Sequence, residues 1–200
     1  ALILLLIPLT LWFGLTQLGE RRYLILSLLI LVEGLLPFLL LFEGRRPKAR
    51  ELVLLAALCA IGVAGRALFF MLPQCKPVLA LTVVAGVALG GEAGFLVGAM
   101  TMLTSNVLFG QGPWTPWQMF AMGLVGFLAG TFARLGWLRR GRLSLCIFGA
   151  VGALVVYGGI MDPAAALLWA HELDARLLLS YYVTGFPMDC VHAAASFLFL

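Results

Sequence analysis

Residues 78–110 read VLALTVVAGVALGGEAGFLVGAMTMLTSNVLFG, and they set the class of fold. Two apolar runs, 78–90 and 93–110, flank a short junction that carries the single charged residue of the stretch, Glu92. Neither run alternates apolar and polar residues, as the strands of a membrane β-barrel would. Continuous apolar runs of this kind predict helices that lie in a bilayer. Because the run 78–90 is short for about 30 Å of hydrocarbon, we expect it to be either buried among neighbouring helices or tilted.

The whole chain has the same character. Of its 200 residues, 63% are hydrophobic and 11% are charged, whereas soluble domains carry about 25% charged residues. Further apolar runs cover residues 1–18, 23–42, 51–72, 117–138, 143–160 and 177–200. We therefore predict an all-α polytopic membrane protein with eight transmembrane helices.

The distribution of small residues divides the chain into two parts. Residues 1–44 are rich in Leu and poor in small residues, whereas residues 50–200 are rich in Gly and Ala. The basic stretch 44–50 lies between them. We predict two accessory transmembrane helices in 1–44 and a six-helix core in 50–200.

The Lys and Arg residues indicate topology, because they cluster between apolar runs and not along one face that would bind nucleic acid. Basic clusters near the ends of spans stay in the cytoplasm. We therefore expect the connections 73–77, 111–117 and 161–176 on the outer side and both termini in the cytoplasm. The pair Arg21 and Arg22 opposes this assignment. It is outvoted by two larger clusters, namely Arg45, Arg46, Lys48 and Arg50, and Arg139, Arg140 and Arg142.

A stripe of small residues marks the helix predicted over 51–72. Ala56, Ala60 and Ala64 recur at four-residue spacing, which brings them to one face of a helix. Stripes of this kind let two helices approach closely in lipid. The spacing leaves open whether the approaching helix belongs to a partner or to this chain.

The segment that follows the run 93–110 predicts a small-molecule site. Residues 105–118 read SNVLFGQGPWTPWQ, so prolines and glycines stiffen a connection that also carries amides and two tryptophans. Flat apolar surface with a few uncharged hydrogen-bonding groups is typical of such sites. The tryptophans alone would also fit an interfacial aromatic belt.

Ionisable residues at membrane depth are costly and are therefore candidates for function. Arg66 lies in the outer part of its helix, with Lys76 in the connection that follows. Asp189 and His192 share a face of the last helix, where hydrogen bonding within the fold is the favoured interpretation over metal or acid-base chemistry. Glu33 is equally unusual, and it is either protonated or paired with a partner.

Motifs for catalysis are missing from the sequence. It has no phosphate-binding loop, G-x-S-x-G, H-E-x-x-H or Asp-rich prenyl-diphosphate motif. The four cysteines are far apart without a C-x-x-C pair, which favours packing over a disulfide framework or a zinc site. We expect no catalytic residues, no metal site and no cofactor in this chain.

Residues 50–200 resemble the substrate-binding S components of energy-coupling-factor (ECF) vitamin transporters, most closely the cobalamin-type members. The resemblance is carried by the alanine stripe, by the helix with GFLVGAM at 94–100 that leads to Ser105 and Asn106, and by FGQGPWTPWQMF at 109–120. It implies that the stripe docks on the transmembrane coupling (T) subunit of the transporter and that two cytoplasmic ATPase (A) subunits use the ATP. It also implies a vitamin, with a corrinoid as first choice, bound at the outer side of the bacterial cytoplasmic membrane beneath the connection 73–77.

The residues that we expect to bind this ligand are Arg66, Lys76, Asn106, Gln111, Trp114, Thr115, Trp117 and Gln118. Three alternatives remain open on the sequence. The first is an S component for a different vitamin, the second is an MreD-like membrane scaffold of the cell-wall machinery, and the third is a small intramembrane enzyme built on Asp189 and His192.

Overall fold

The computed structural model describes residues 47–169 and 174–200, together with positions 9–10, 29, 32–34, 36–37, 40 and 42–44. Regular structure among these residues is entirely helical, which confirms the predicted all-α fold. The helices are α1 (Ala49–Leu68), α2 (Val78–Leu89), α3 (Gly91–Phe109), α4 (Thr115–Arg134), α5 (Arg142–Val151), α6 (Gly159–Trp169) and α7 (Ala175–Phe199), and a π-helical segment, Gly152–Gly158, joins α5 to α6.

Three of the described helical rods are long and apolar enough to cross a membrane. They are α1, α3 and the continuous rod Arg142–Trp169 that runs from α5 through α6. The multi-pass membrane architecture predicted from composition is thereby confirmed. Helix α2 has only 12 residues, and the exposed fraction of Leu79, Val83 and Ala85 is 0%. Of the two arrangements expected for this short helix, burial among its neighbours is the correct one.

Sharp reversals connect α2, α3 and α4. Gly90 follows α2 with a φ of 103°, and Gly110 ends α3 with a φ of 121°, conformations that only glycine adopts without strain. Helix α4 then begins at Thr115 with Pro116 in its first turn, where the missing N–H costs nothing. As a result, the end of α3 and the start of α4 lie beside each other.

Four glycines allow α2, α3 and α4 to pack with their backbones in contact. A Cβ atom built on Gly94 would lie 2.6 Å from the carbonyl oxygen of Gly126 and 2.6 Å from the Cα of Gly86. One built on Gly130 would lie 2.6 Å from the carbonyl oxygen of Gly86. Because these neighbours are backbone atoms, no side-chain rotation can make room. Small residues play this role widely in membrane helix packing.

The helix that contains Pro163 is longer than predicted. The sequence interpretation placed an outer connection at 161–176, which is wrong, because the helix continues to Trp169. Pro163 has no N–H and leaves the carbonyl of Gly159, four residues earlier, without its helical donor. The Tyr182 hydroxyl of α7 donates to this carbonyl at 3.0 Å, which satisfies the helix across the proline.

Part of the N-terminal region contacts the core. Phe42 is buried in a cluster with Leu55, Leu96 and Val97. Glu33 has a partner, since the Thr10 hydroxyl donates to its Oε1 at 2.6 Å. Arg21, Arg22, Arg45 and Arg46 lie outside the described residues. The division into accessory helices at 1–44 and a core at 50–200 stays a prediction.

We predict that Gly94→Ala lowers the free energy of unfolding by about 1–3 kcal/mol or more, because the added methyl group collides with the backbones of α2 and α4. Gly159→Ala is the matched control, since a Cβ there meets nothing within 4 Å. Thermal unfolding of the purified variants in detergent provides the measurement. Equal midpoints for the two variants would contradict the glycine packing.

Candidate ligand-binding site

A cavity of about 180 Å³ lies at the end of the core where α1 ends and α4 begins. It is lined by Arg66, Gln74, Lys76, Val78, Met102, Gln118, Met122, Tyr157 and His192. Each of the six rods of the core contributes a residue, as does the connection between α1 and α2. The cavity is therefore formed by the whole core.

The connection between α1 and α2 folds into this end of the core. Gln74 has a φ of 54°, which is uncommon for a residue other than glycine, and Pro77 packs where a Cβ on Gly65 would lie. The Lys76 ammonium donates to the carbonyl of Leu72. This conformation brings the Gln74 and Lys76 side chains to the cavity.

Arg66 is the charged centre of the site. Its Nη1 donates to Ser105 Oγ at 2.5 Å and to Asn106 Oδ1 at 2.7 Å. Charge-assisted bonds of this kind are stronger than neutral ones. They hold the plane of the guanidinium against α3 and use both hydrogens of Nη1. Among the described residues, no hydrogen bond from Nε or Nη2 is present.

Asn106 extends the network from α3 to α4. Arg66 can only donate, so the Asn106 oxygen faces it and the Asn106 Nδ2 faces α4. This Nδ2 donates to Thr115 Oγ1 at 3.0 Å and to Gln118 Oε1 at 2.8 Å. The Gln118 oxygen is thereby occupied as an acceptor, which leaves the N–H groups of Gln118 for the cavity and its walls. The positive charge of Arg66 thus sets the direction of each hydrogen bond in this network.

Tyr157 and His192 form the opposite wall. Their rings meet edge to face, with centroids 4.8 Å apart and an interplanar angle of 85°. His192 is 5% exposed, and its Nδ1 has no hydrogen-bond partner among the described residues. Tyr157 belongs to the π-helical segment, a distortion that is frequent at functional sites.

The structure brings together some of the predicted site residues. Arg66, Lys76 and Gln118 line the cavity, while Asn106 and Thr115 lie in the network behind it. The other three predicted residues lie elsewhere. Gln111 is exposed and bonds weakly to the carbonyl of Leu103 at 3.4 Å, Trp114 packs over Gly112, and Trp117 is in the core with 4% exposure.

Sequence reasoning missed Gln74 and Tyr157, and it assigned His192 a structural role. Tyr157 lies in an apolar run that has no local signal of function. His192 could be found as an ionisable residue at membrane depth, but its place at the cavity depends on α7 packing beside the π-helical segment. Asp189, one turn away, packs against Gly158 instead. None of the contacts tests ligand binding, so the predicted site residues stay predictions.

The alanine stripe borders a second feature, an apolar groove of about 770 Å³ between α1 and α3. Ala56, Ala60 and Ala64 are exposed along it. Met100 and Thr104 of α3 form the facing wall, and Phe42 contributes to the lining. The stripe is therefore not packed against another of the helices α2–α7.

Potential metal ligands do not converge in the described ranges, where no three His, Cys, Asp or Glu side chains form a group that would hold a metal ion. All four cysteines are free thiols.

Fold and cavity together define a polytopic membrane protein with a small, polar cavity at one end of its helical core. The family model described as "ECF-type riboflavin transporter, S component" matches residues 47–197. The chain belongs to this family of ECF transporter S components, which is a transporter family and not an enzyme family. The match supports the expected S-component resemblance, but not the cobalamin-type subgroup. No solved structure matches the chain.

We predict that Arg66 and Asn106 stabilise each other by about 1.5–3 kcal/mol, the range of a hydrogen bond to a charged group. The measurement is a double-mutant cycle of Arg66→Met and Asn106→Leu, read by unfolding of the ligand-free protein. Gln111→Leu serves as the control, because its amide is exposed and weakly bonded. Additive effects of the two substitutions would show that the bond contributes nothing.

Proposed function

We propose that this chain is the substrate-binding subunit of an ECF-type ABC importer and that it captures a vitamin in the cavity beside Arg66. The observation that carries the proposal is the convergence of all six core rods on one polar cavity. S components of this family associate with a T subunit and A subunits. The sequence contains no nucleotide-binding motif, so we assign ATP hydrolysis to the partner ATPases, with no cofactor in this chain.

The distribution of basic residues supports an orientation for the chain in the membrane. Arg139 and Arg140 lie between α4 and α5 and Arg142 begins α5, whereas the cavity lies at the opposite end of α4. Lys48 and Arg50 lie at the start of α1, again opposite the cavity. The rule that basic residues stay in the cytoplasm supports a cavity on the outer face of a bacterial cytoplasmic membrane. In this topology the start of α1 faces the cytoplasm.

We propose a flavin-class vitamin, with riboflavin as the first choice, in place of the expected corrinoid. The name of the matching family supports riboflavin. Size supports it as well, because sites for drug-sized ligands measure about 300–1,000 Å³ and this cavity measures about 180 Å³. A flavin requires a modest opening of the cavity, whereas a corrin macrocycle requires a far larger one. Trp117, expected to stack on a corrinoid, is buried in the core.

The apolar groove is the surface that we assign to the T subunit. Alanines leave room for a partner helix to approach the α1 backbone, which favours packing in lipid. The groove and the cavity are lined by different side chains of α1, since Ala60 lines the groove and Arg66 lines the cavity. Docking and ligand binding should therefore be separable by substitution.

We predict that the purified chain binds riboflavin and that cobalamin does not compete. Quenching of flavin fluorescence measures the first affinity, and competition by cobalamin and cobinamide measures the second. Mass spectrometry of the protein as purified identifies any retained ligand. Tight corrinoid binding without riboflavin binding would refute the flavin assignment and restore the corrinoid.

We predict that Ala60→Trp abolishes vitamin uptake, to below about a tenth of the original rate, because the ring fills the groove and blocks close helix approach. Binding to the isolated variant should be retained. Val53→Trp is the control, since Val53 lies on the same helix, is 68% exposed and does not line the groove. Loss of binding together with uptake would show that the groove belongs to the internal packing of the chain.

A further inference from the structure

We infer that the cavity selects ligands that carry an anionic group, a carboxylate or a phosphate, which would be bound between Arg66 and Lys76. The inference rests on the proposed function, because it concerns the specificity of the same site. It goes beyond the flavin assignment, since riboflavin itself is uncharged.

The charge of the lining is the first reason. Two cations, Arg66 and Lys76, line a single cavity of about 180 Å³, and no carboxylate lines it in the part of the chain that the structure describes. The carboxylate of Asp162 packs instead against Gly185 of α7, and that of Asp189 packs against Gly158 of the π-helical segment. Two like charges in one cavity repel each other. An anion bound between them would attract both and so offset the repulsion.

The pKa of Lys76 reflects its position in this cavity. Burial lowers the pKa of Lys76 below its ordinary value, and the positive charge of Arg66 lowers it further. The lysine lies on the connection that covers the cavity, and its recorded hydrogen bond goes to the carbonyl of Leu72. An ammonium has three donors, and in the part of the chain that the structure describes one of them is used, so two remain for a ligand.

The orientation of Arg66 is the second reason. Its Nη1 is fixed by Ser105 and Asn106, so the plane of the guanidinium is set before any ligand binds. Within the described ranges the Nε and Nη2 donors have no partner, and this edge is the fork that bonds a carboxylate or phosphate at two points. The entropy cost of ordering the Arg66 side chain therefore arises on folding and not on ligand binding.

The polarity of the hydrogen-bond network is the third reason. Because the Gln118 oxygen accepts from Asn106, Gln118 presents N–H groups rather than its oxygen. Arg66, Lys76 and Gln118 consequently offer donors to the same space. A site that is rich in donors favours a ligand rich in acceptors, since unpaired buried groups on either side cost free energy.

The test compares ligands that differ only in the anionic group. Riboflavin is paired with riboflavin 5′-phosphate, and biotin amide is paired with biotin, so that the phosphate and carboxylate sources are measured separately. We expect the anionic member of at least one pair to bind the wild-type protein about tenfold more tightly or better, as a charge-assisted contact provides. The pair that shows the preference identifies the source.

Substitutions then locate the preference. Lys76→Gln should reduce the advantage of the anionic ligand to less than about threefold, and Lys76→Arg should retain it, because the charge is preserved. Arg66→Gln should act in the same direction as Lys76→Gln. Arg140→Gln is the control, since it removes an equal charge at the opposite end of α4.

Two outcomes would overturn the inference while leaving the proposed function intact. In the first, riboflavin binds as tightly as its phosphate and biotin amide as tightly as biotin. In the second, an anionic preference persists undiminished in both Lys76→Gln and Arg66→Gln. Absence of binding by all four compounds would overturn the proposed function and, with it, this inference.

Discussion

The contact between the backbones of α2, α3 and α4 at Gly86, Gly94, Gly126 and Gly130 is the constraint on which the rest of the structure depends. Lipid supplies no hydrophobic driving force between helices, so close approach and dispersion contacts have to hold them together. With these three helices fixed, most of α2 is buried despite its 12 residues, and Val84 is on its exposed side. The end of α3 and the start of α4 are also brought side by side, which lets Asn106 bond to Thr115 and Gln118.

The packing of α3 beside α4 allows a hydrogen-bond network to extend from Arg66 to Gln118. A guanidinium is only a donor, so its contact with Asn106 fixes the direction of each following hydrogen bond up to Gln118. The order of the network is therefore imposed by one charge and not by the shape of the cavity alone. Among the residues that the structure describes, Arg66 bonds to Ser105 and Asn106 and to no carboxylate, and a cation at membrane depth is costly without one. The anionic ligand that we propose would supply that partner.

Helix α1 lines both the cavity and the apolar groove. Its outer turn carries Arg66 at the cavity, while Ala56, Ala60 and Ala64 border the groove that we assign to the coupling subunit. Arg66 shares a helical face with Cys59 and Val63, which line the groove, so the two surfaces meet on one side of α1. The connection that carries Gln74 and Lys76 joins the same helix to α2 and covers the ligand side.

Local patterns predicted much of this protein. Apolar runs gave the helices, because burial in lipid requires long segments without charge. The spacing of Ala56, Ala60 and Ala64 gave the groove-lining face, and the rarity of charge at membrane depth pointed to Arg66. Pairing between distant segments was beyond such patterns. The bond from Tyr182 to Gly159 that carries the helix past Pro163, the meeting of Tyr157 with His192, and the burial of Trp117 all depend on how helices pack. That packing is set by backbone contacts between residues far apart in the chain. Periodicity within one segment predicts a helix and its faces, but not which distant segment packs against each face.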